Sequence, residues 1–244
     1  MIQTTSIKLN NFSDFANACK HFGIEINNNQ LILFKKYYEI LLEWNKKINL
    51  ISRKDVSLST ILEKHFLDSI IFLPEILSLI TNTDLRSQGS NNSGPRSHVS
   101  IFDIGSGGGF PGVPLAIINP NWKFTLCEST KKKSIFLSHL ISQLELTSQI
   151  KILNERVENI NQKKEYCSIF DLVTVRAVEK LNTLIEYSLP LLKQSGSLLA
   201  YKAEDITNEM QNIDKLVKNR RLTVKIFEKE INKVRRKLIC VKKQ

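Results

Sequence analysis

Five of the nine glycines in this 244-residue chain, Gly105, Gly107, Gly108, Gly109 and Gly112, fall within eight residues of the stretch FDIGSGGGFPGVPLAI, 102–117. Glycine is entropically costly in ordered backbone, so this cluster implies a tight turn or the close approach of a ligand to bare main chain. The preceding run, SIFDI, reads as a strand. The helix after the cluster is expected to begin near Pro114, a residue suited to a first helical turn because its missing N–H costs nothing there. In open α/β sheets ligands sit outside the carboxyl ends of the strands, and the first strand-to-helix turn carries the glycines that let a nucleotide-like group lie against the backbone.

Gly107, Gly109 and Gly112 spell G-x-G-x-x-G, a dinucleotide pattern. Other features favour S-adenosylmethionine: Gly105, Gly107 and Gly109 alternate, Asp103 stands two residues before them, and Glu128 closes the next strand, KFTLCE. A carboxylate before the first glycine can attract a cationic amino group, directly or through water, and NAD has no such group. Glu128 is placed to accept hydrogen bonds from ribose hydroxyls, a role common to both cofactors, so it does not discriminate between them.

From Ile101 onward, short β-rich runs alternate with helical ones, which predicts an α/β domain: a mostly parallel, Rossmann-like sheet with helices on both faces. In the tail, LTVKIFEKEI and RRKLICVKK have no helix between them and should pair antiparallel. Upstream, residues 30–48 place Phe34, Tyr37, Tyr38, Leu41 and Ile48 at helical spacing. A second helix carries Leu58, Ile61, Leu62, Phe66 and Ile70 and is expected to stop at Pro74. Residues 81–100 hold two aliphatic side chains among Ser, Asn, Gly, Thr and Pro, and read as a linker or inserted loop. The expected division is a helical N-terminal extension (1–80), a linker (81–100) and a cofactor-binding domain (101–244).

The formal net charge is +11, and residues 218–244 carry eleven Lys or Arg against two Glu. Such density attracts polyanions, whether nucleic acid or an acidic membrane surface. No apolar run approaches the ~18 residues of a membrane span. Lys8, Asn10, Asn11 and Asp14 fall where a signal peptide needs its apolar core, so a cytoplasmic address is expected. Cys19, Cys127, Cys167 and Cys240 form no C-x-x-C pair, which argues against zinc and disulfides and for buried thiols. His21, His65, His98 and His139 lack metal-ligand spacing, so no metal is expected.

The glycine stretch resembles the G-F-P-G-x-P-L signature of the RsmG (GidB) family, bacterial methyltransferases of 16S ribosomal RNA. LLEWNKKINLIS is similar to that family's W-N-x-x-x-N-L segment, EKHFLDSI to R-H-x-L-D-S, NERVEN to its acidic third-strand loop and VTVRAV to its fourth strand, so the resemblance covers roughly residues 30 to 243. It implies formation of 7-methylguanosine, S-adenosylmethionine as cofactor, and cofactor contacts at Gly105, Phe110, Val157, Glu158 and Arg176, beside Asp103, Gly107, Gly109 and Glu128 from the residue pattern. Arg176 lies in an apolar run and must find a partner or a pocket. His65 and Asp68, three apart, share a helix face and either contact RNA or brace the N-terminal helices against the sheet. Arg53 and Lys202 are candidates to meet phosphate or guanine, and Arg235 and Arg236, with Lys237, to meet RNA. The linker is longer than the family's, and YKAED replaces the glycine that often follows the lysine.

Guanine N7 already carries a lone pair, so transfer to it needs in-line alignment and no general base, and no catalytic side chain is assigned. The N-P-P-Y segment of amino-group methylation and the Pro-Cys pair of pyrimidine C5 methylation are both missing. The expected partner is 16S rRNA or the small ribosomal subunit, bound by a monomer. An NAD-dependent oxidoreductase and a non-catalytic ribosome-associated RNA-binding protein remain the alternatives.

Overall fold

The structure, a computed structural model, describes residues 4–5, 7–87, 98–176, 179–202 and 206–243. A two-residue strand, β1 (Thr4–Thr5), precedes α1 (Phe12–His21) and α2 (Asn28–Asn45). The Asn11 side chain caps α1 by accepting from the Asp14 N–H, and Asn27 and Gln30 form a reciprocal capping box at the start of α2. The predicted second helix is not one helix. It comprises α3 (Leu58–Ile61), a wider π-helical stretch (Leu62–Leu67) and α4 (Asp68–Ile70), followed by α5 (Leu73–Ser87). Pro74 therefore opens a helix instead of ending one, because a first-turn residue has no intrahelical use for its N–H. Helix α5 takes the first part of the expected 81–100 linker and β2 its last residue; 88–97 lie outside the described residues.

The remainder alternates as the sequence predicts: β2 (Ser100–Ile104), α6 (Gly112–Ile118), β3 (Lys123–Cys127), α7 (Lys131–Gln143), β4 (Ile150–Leu153), α8 (Val157–Ile160), β5 (Phe170–Arg176), α9 (Leu181–Ser188), β6 (Leu192–Lys202), α10 (Thr207–Asn219), β7 (Thr223–Ile231) and β8 (Val234–Lys242). Helix α6 starts at Gly112, two residues before Pro114. The sheet order is β1-β7-β8-β6-β5-β2-β3-β4. Strands β6, β5, β2, β3 and β4 are parallel, while β8 pairs antiparallel with both β6 and β7. Chain order reverses at β2, with β3 and β4 on one side and β5 and β6 on the other. The crevice over the carboxyl ends of β2 and β5 is thus the switch point where such sheets bind ligands.

One continuous core joins the N-terminal helices to the sheet. Phe15, Phe34, Tyr37 and Phe66 pack in the same cluster as Val113 and Leu115 of α6, Leu126 of β3 and Phe136 of α7. The opposite sheet face packs Leu184, Ile185 and Ile213 of α9 and α10 against Phe102, Val173 and Val175. All four cysteines are free; three are buried and Cys167 is partly exposed.

Candidate active site

The glycine loop turns sharply after β2. Gly105, Gly107 and Gly109 have φ of 67°, 56° and 95°, values that L side chains adopt only under strain. A Cβ on Gly109 would lie 2.6 Å from the Tyr37 hydroxyl oxygen. Gly112 serves packing, since its Cβ would meet Leu126 Cδ2 at 2.6 Å and Asp103 Oδ2 at 3.0 Å. The loop is anchored on β3, because the Gly105 and Ser106 N–H groups both donate to the Cys127 carbonyl. Glu128 is fixed between loop and helix: Oε2 accepts from the Gly107 N–H (2.9 Å) and Oε1 from the Thr130 N–H (2.7 Å).

Beside this loop is a cleft of about 140 Å³ lined by Gly105, Cys127, Ser129, Glu155, Arg156, Val157, Glu158, Glu179 and Tyr187. Of the expected cofactor contacts, Gly105, Val157 and Glu158 line this cleft; Gly107, Gly109, Phe110 and Glu128 stand behind it in the loop and its supports, and Arg176 lines a separate cleft. Glu158 is not on a bare loop but in the first turn of α8, where N–H groups lack intrahelical acceptors, and its Oε1 accepts from the Tyr187 hydroxyl at 3.2 Å. Three glutamates against one arginine make the cleft acidic, which suits a cationic ligand. Cys127, Ser129 and Glu179 carry no sequence signal beyond their places at or after strand ends, and Tyr187 reaches the cleft from α9, which no local pattern marks.

Asp103 is fully buried and does not line the cleft. Its Oδ1 accepts from the Thr174 hydroxyl (2.7 Å) and its Oδ2 lies against Gly112 without a hydrogen bond. Burial pushes its carboxyl up to about 6 despite the hydrogen bond from Thr174 and the nearby Arg176 charge. Asp103 therefore supports the loop from within the sheet.

On the far side of the loop, Phe110 is held in a stack. Tyr37 lies almost parallel to it (5.4 Å, 13°), His65 stacks on it (5.0 Å, 29°), and the Arg176 guanidinium sits 5.0 Å from its ring centre. The Tyr37 hydroxyl donates to the Gly108 carbonyl. Sequence periodicity marks Tyr37 only as a core residue, and its second role shows once α2 is docked. Arg176 finds the partners its apolar setting demands, donating to the Lys64 carbonyl (2.9 Å) and to His65 Nδ1 (3.1 Å). Because Arg is always the donor, His65 is neutral with its proton on Nε2. Burial and then Arg176 hold its pKa at about 3, and Nε2 has no protein partner.

A second cleft, of about 400 Å³, opens next to Arg176 between the π-helical stretch and the C-terminal strands. His65, Asp68, Lys202, Arg236 and Lys237 all line it, joined by Lys64, Phe72, Tyr201 and Val234. Five basic side chains face one carboxylate, so this cleft suits a polyanion. Lys202 links the clefts, donating to the carbonyl of Glu179 and pairing with Glu209 at 3.0 Å. Arg236 is not the open surface charge that its place in a basic run suggests. It is 7% exposed and pairs with Asp68 (2.6 Å) and Glu63 (3.6 Å), so it braces β8 against the N-terminal helices. Arg53 and Arg235 are exposed and line neither cleft. Among the described residues no cluster of His, Cys, Asp or Glu could hold a metal ion, and no helix is long and apolar enough to cross a membrane.

A parallel α/β sheet with a glycine turn at its switch point and an acidic crevice there defines the Rossmann-like methyltransferase class. The fold agrees with solved structures. An O-methyltransferase from Bacillus cereus in complex with SAH superposes with a TM-score of 0.57 at 13% identity, covering 96% of this chain and 100% of that one. TrmK from M. capricolum gives 0.50 at 17% identity, over 70% and 67%. The chain belongs to the GidB family, rRNA small subunit methyltransferase G, whose model matches residues 30–239. Proteins named ribosomal RNA small subunit methyltransferase G are similar to it at 37% identity in Lactococcus lactis (84% of this chain, 78% of that protein) and in Desulforamulus reducens (82% and 75%).

Proposed function

We propose that this protein transfers a methyl group from S-adenosylmethionine to N7 of a guanosine in 16S rRNA. The observation that carries the reading is the pair of adjoining clefts of opposite charge, the acidic one on the glycine loop and the basic one beyond Arg176. Family membership supports the rRNA substrate. The cofactor fits this chain: positive-φ glycines leave main chain bare, and Glu128 is immobilised by two N–H groups with lone pairs remaining for ribose hydroxyls. Gly105, Gly107, Glu128, Val157 and Glu158 would hold it, with Phe110 bounding the loop. When bound, S-adenosylmethionine supplies an electrophilic methyl group on its sulfonium.

The protein's own contribution is placement. Phe110, fixed between Tyr37 and His65, holds the glycine loop against the N-terminal helices, and Arg176, held over the Phe110 ring, presents a fixed cation in the basic cleft. His65 offers no base, since its Nδ1 lone pair is taken by Arg176 and its Nε2 carries the proton, and none is required, since the N7 lone pair is free. Lys202 and Lys237 offer charge to the RNA backbone. The helical segment 1–80 and the sheet domain act on this reading as one body, because they share a core.

Two measurements test this. Calorimetric titration should show S-adenosylmethionine binding and no NAD binding; the reverse would identify an oxidoreductase. Mapping of 7-methylguanosine in 16S rRNA from cells with and without the gene should show one modified position lost, whereas an unchanged map would leave a non-catalytic RNA-binding protein.

A further inference from the structure

Resting on the reading of the basic cleft as the pocket for the target base, we propose that Asp68 is the specificity-determining residue that selects guanine, by accepting hydrogen bonds from its N1–H and N2–H groups. The cleft, at about 400 Å³, falls in the size range of small-ligand pockets. Its charged lining is cationic except for Asp68. Cations recognise phosphate or the carbonyl and N7 edge of a base, but none can accept from the N–H edge. Among the charged side chains of the described lining, Asp68 is the one that supplies an acceptor for that edge.

The carboxylate is held in place for this. Oδ1 accepts from Arg236 Nε at 2.6 Å, and the Asp68 side chain keeps 17% of its surface at the cleft wall. A carboxylate has about four lone-pair sites, so one bond to Arg236 leaves capacity for two donors. Position along the sheet sets the orientation. Asp68 is tied to β8, whereas Arg176 stands at the end of β5 over Phe110 of the glycine loop, and β6 lies between β8 and β5. In guanine the N1/N2 edge lies opposite N7. A base held by Asp68 on the β8 side therefore turns N7 toward Arg176 and the cofactor cleft. Val234, 45% exposed although apolar, offers a face to the base plane. Adenine would set its N1 lone pair against the carboxylate, which penalises the wrong base as well as favouring the right one.

The test uses small subunits rebuilt around 16S rRNA ligated with guanosine, inosine or 7-deazaguanosine at the accepting position. Inosine lacks only the 2-amino group. The wild-type protein should bind inosine particles on the order of ten-fold more weakly than guanosine particles, the scale of one hydrogen bond to a charged group. In Asp68→Asn the ratio should fall toward one. Equal binding of both particles by the wild type, a comparison that needs no variant to fold, would overturn the proposal. So would retention of the wild-type ratio by Asp68→Asn, which would leave Asp68 as a brace for Arg236. The 7-deazaguanosine particle tests the underlying reading separately: it should bind without being methylated, and its methylation would refute N7 transfer while leaving the inosine comparison to stand.

Discussion

Tyr37→Phe and Gly109→Ala, made singly and together, test whether α2 sets the shape of the cofactor loop. Tyr37→Phe removes one oxygen from a fully buried ring and leaves the Gly108 carbonyl without that donor, a loss of about 1–3 kcal/mol. Gly109→Ala places an L side chain at φ 95°, costing at least about 1–2 kcal/mol. It also drives a methyl to 2.6 Å from the Tyr37 oxygen and 3.0 Å from Val113 Cγ2, adding about 1–3 kcal/mol of overpacking. In the double variant the first clash has no oxygen to meet, so the combined loss should fall short of the sum by about 1–2 kcal/mol. Urea unfolding of all four proteins measures this directly, and thermal midpoints should move about 2–4 °C per kcal/mol for a chain of this size. S-adenosylmethionine titration should rank the variants in the same order. Strictly additive losses would show that the Tyr37 hydroxyl and the loop are not in contact, and the argument linking the N-terminal helices to the cofactor would fail.

Asp103 titrates in the opposite sense to an ordinary paired carboxylate. With a folded-state pKa of about 6 against 3.8, its contribution is favourable below about pH 4 and is lost as pH rises through 6. Asp103→Asn, which can still accept from Thr174, should therefore stabilise the protein by about 1–3 kcal/mol at pH 8 and by much less at pH 4; a gain independent of pH in urea unfolding would refute the assignment. His65, held at about 3 in the folded chain, stays neutral there while the unfolded imidazole protonates below about 6.5, so stability declines as pH falls from about 6.5 toward 3, and nitrogen NMR of the folded protein at pH 5.5 should show a neutral Nε2–H ring; a doubly protonated ring would contradict the Arg176 contact. Glu128→Gln should weaken S-adenosylmethionine binding on the order of ten-fold by calorimetry while leaving affinity for RNA unchanged, because it replaces one of the two oxygens that hold Gly107 and Thr130 and face the ribose, and Glu128 does not line the basic cleft; unchanged cofactor affinity would remove Glu128 from the site.

The sequence by itself determined the features governed by neighbours along the chain. The clustered glycines fixed where a strand must give way to a ligand-bearing turn, the alternation of runs fixed a parallel sheet from β2 to β6, and the helix-free tail fixed the antiparallel β7–β8 pair. Gly105, Val157 and Glu158 are named by the family resemblance, and they meet in one crevice because a parallel sheet sends the ends of its strands to the same edge. Tertiary structure alone decided what depends on distant partners. Pro74 opens α5 instead of closing a helix, and the apolar stripe of 58–70 winds partly as a π-helix, which periodicity near 3.6 does not distinguish. Arg236 sits in a run that reads as exposed charge, yet long-range pairing with Asp68 and Glu63 buries it. Asp103, legible as a ligand carboxylate, is enclosed when α6 brings Gly112 against it and the Thr174 hydroxyl of β5 donates to it. Local pattern reports which groups can interact, whereas burial and charge pairing are set by contacts between segments distant in the chain, 71 residues for Asp103 and Thr174 and 168 for Asp68 and Arg236, and these exist only once the sheet and helices close together.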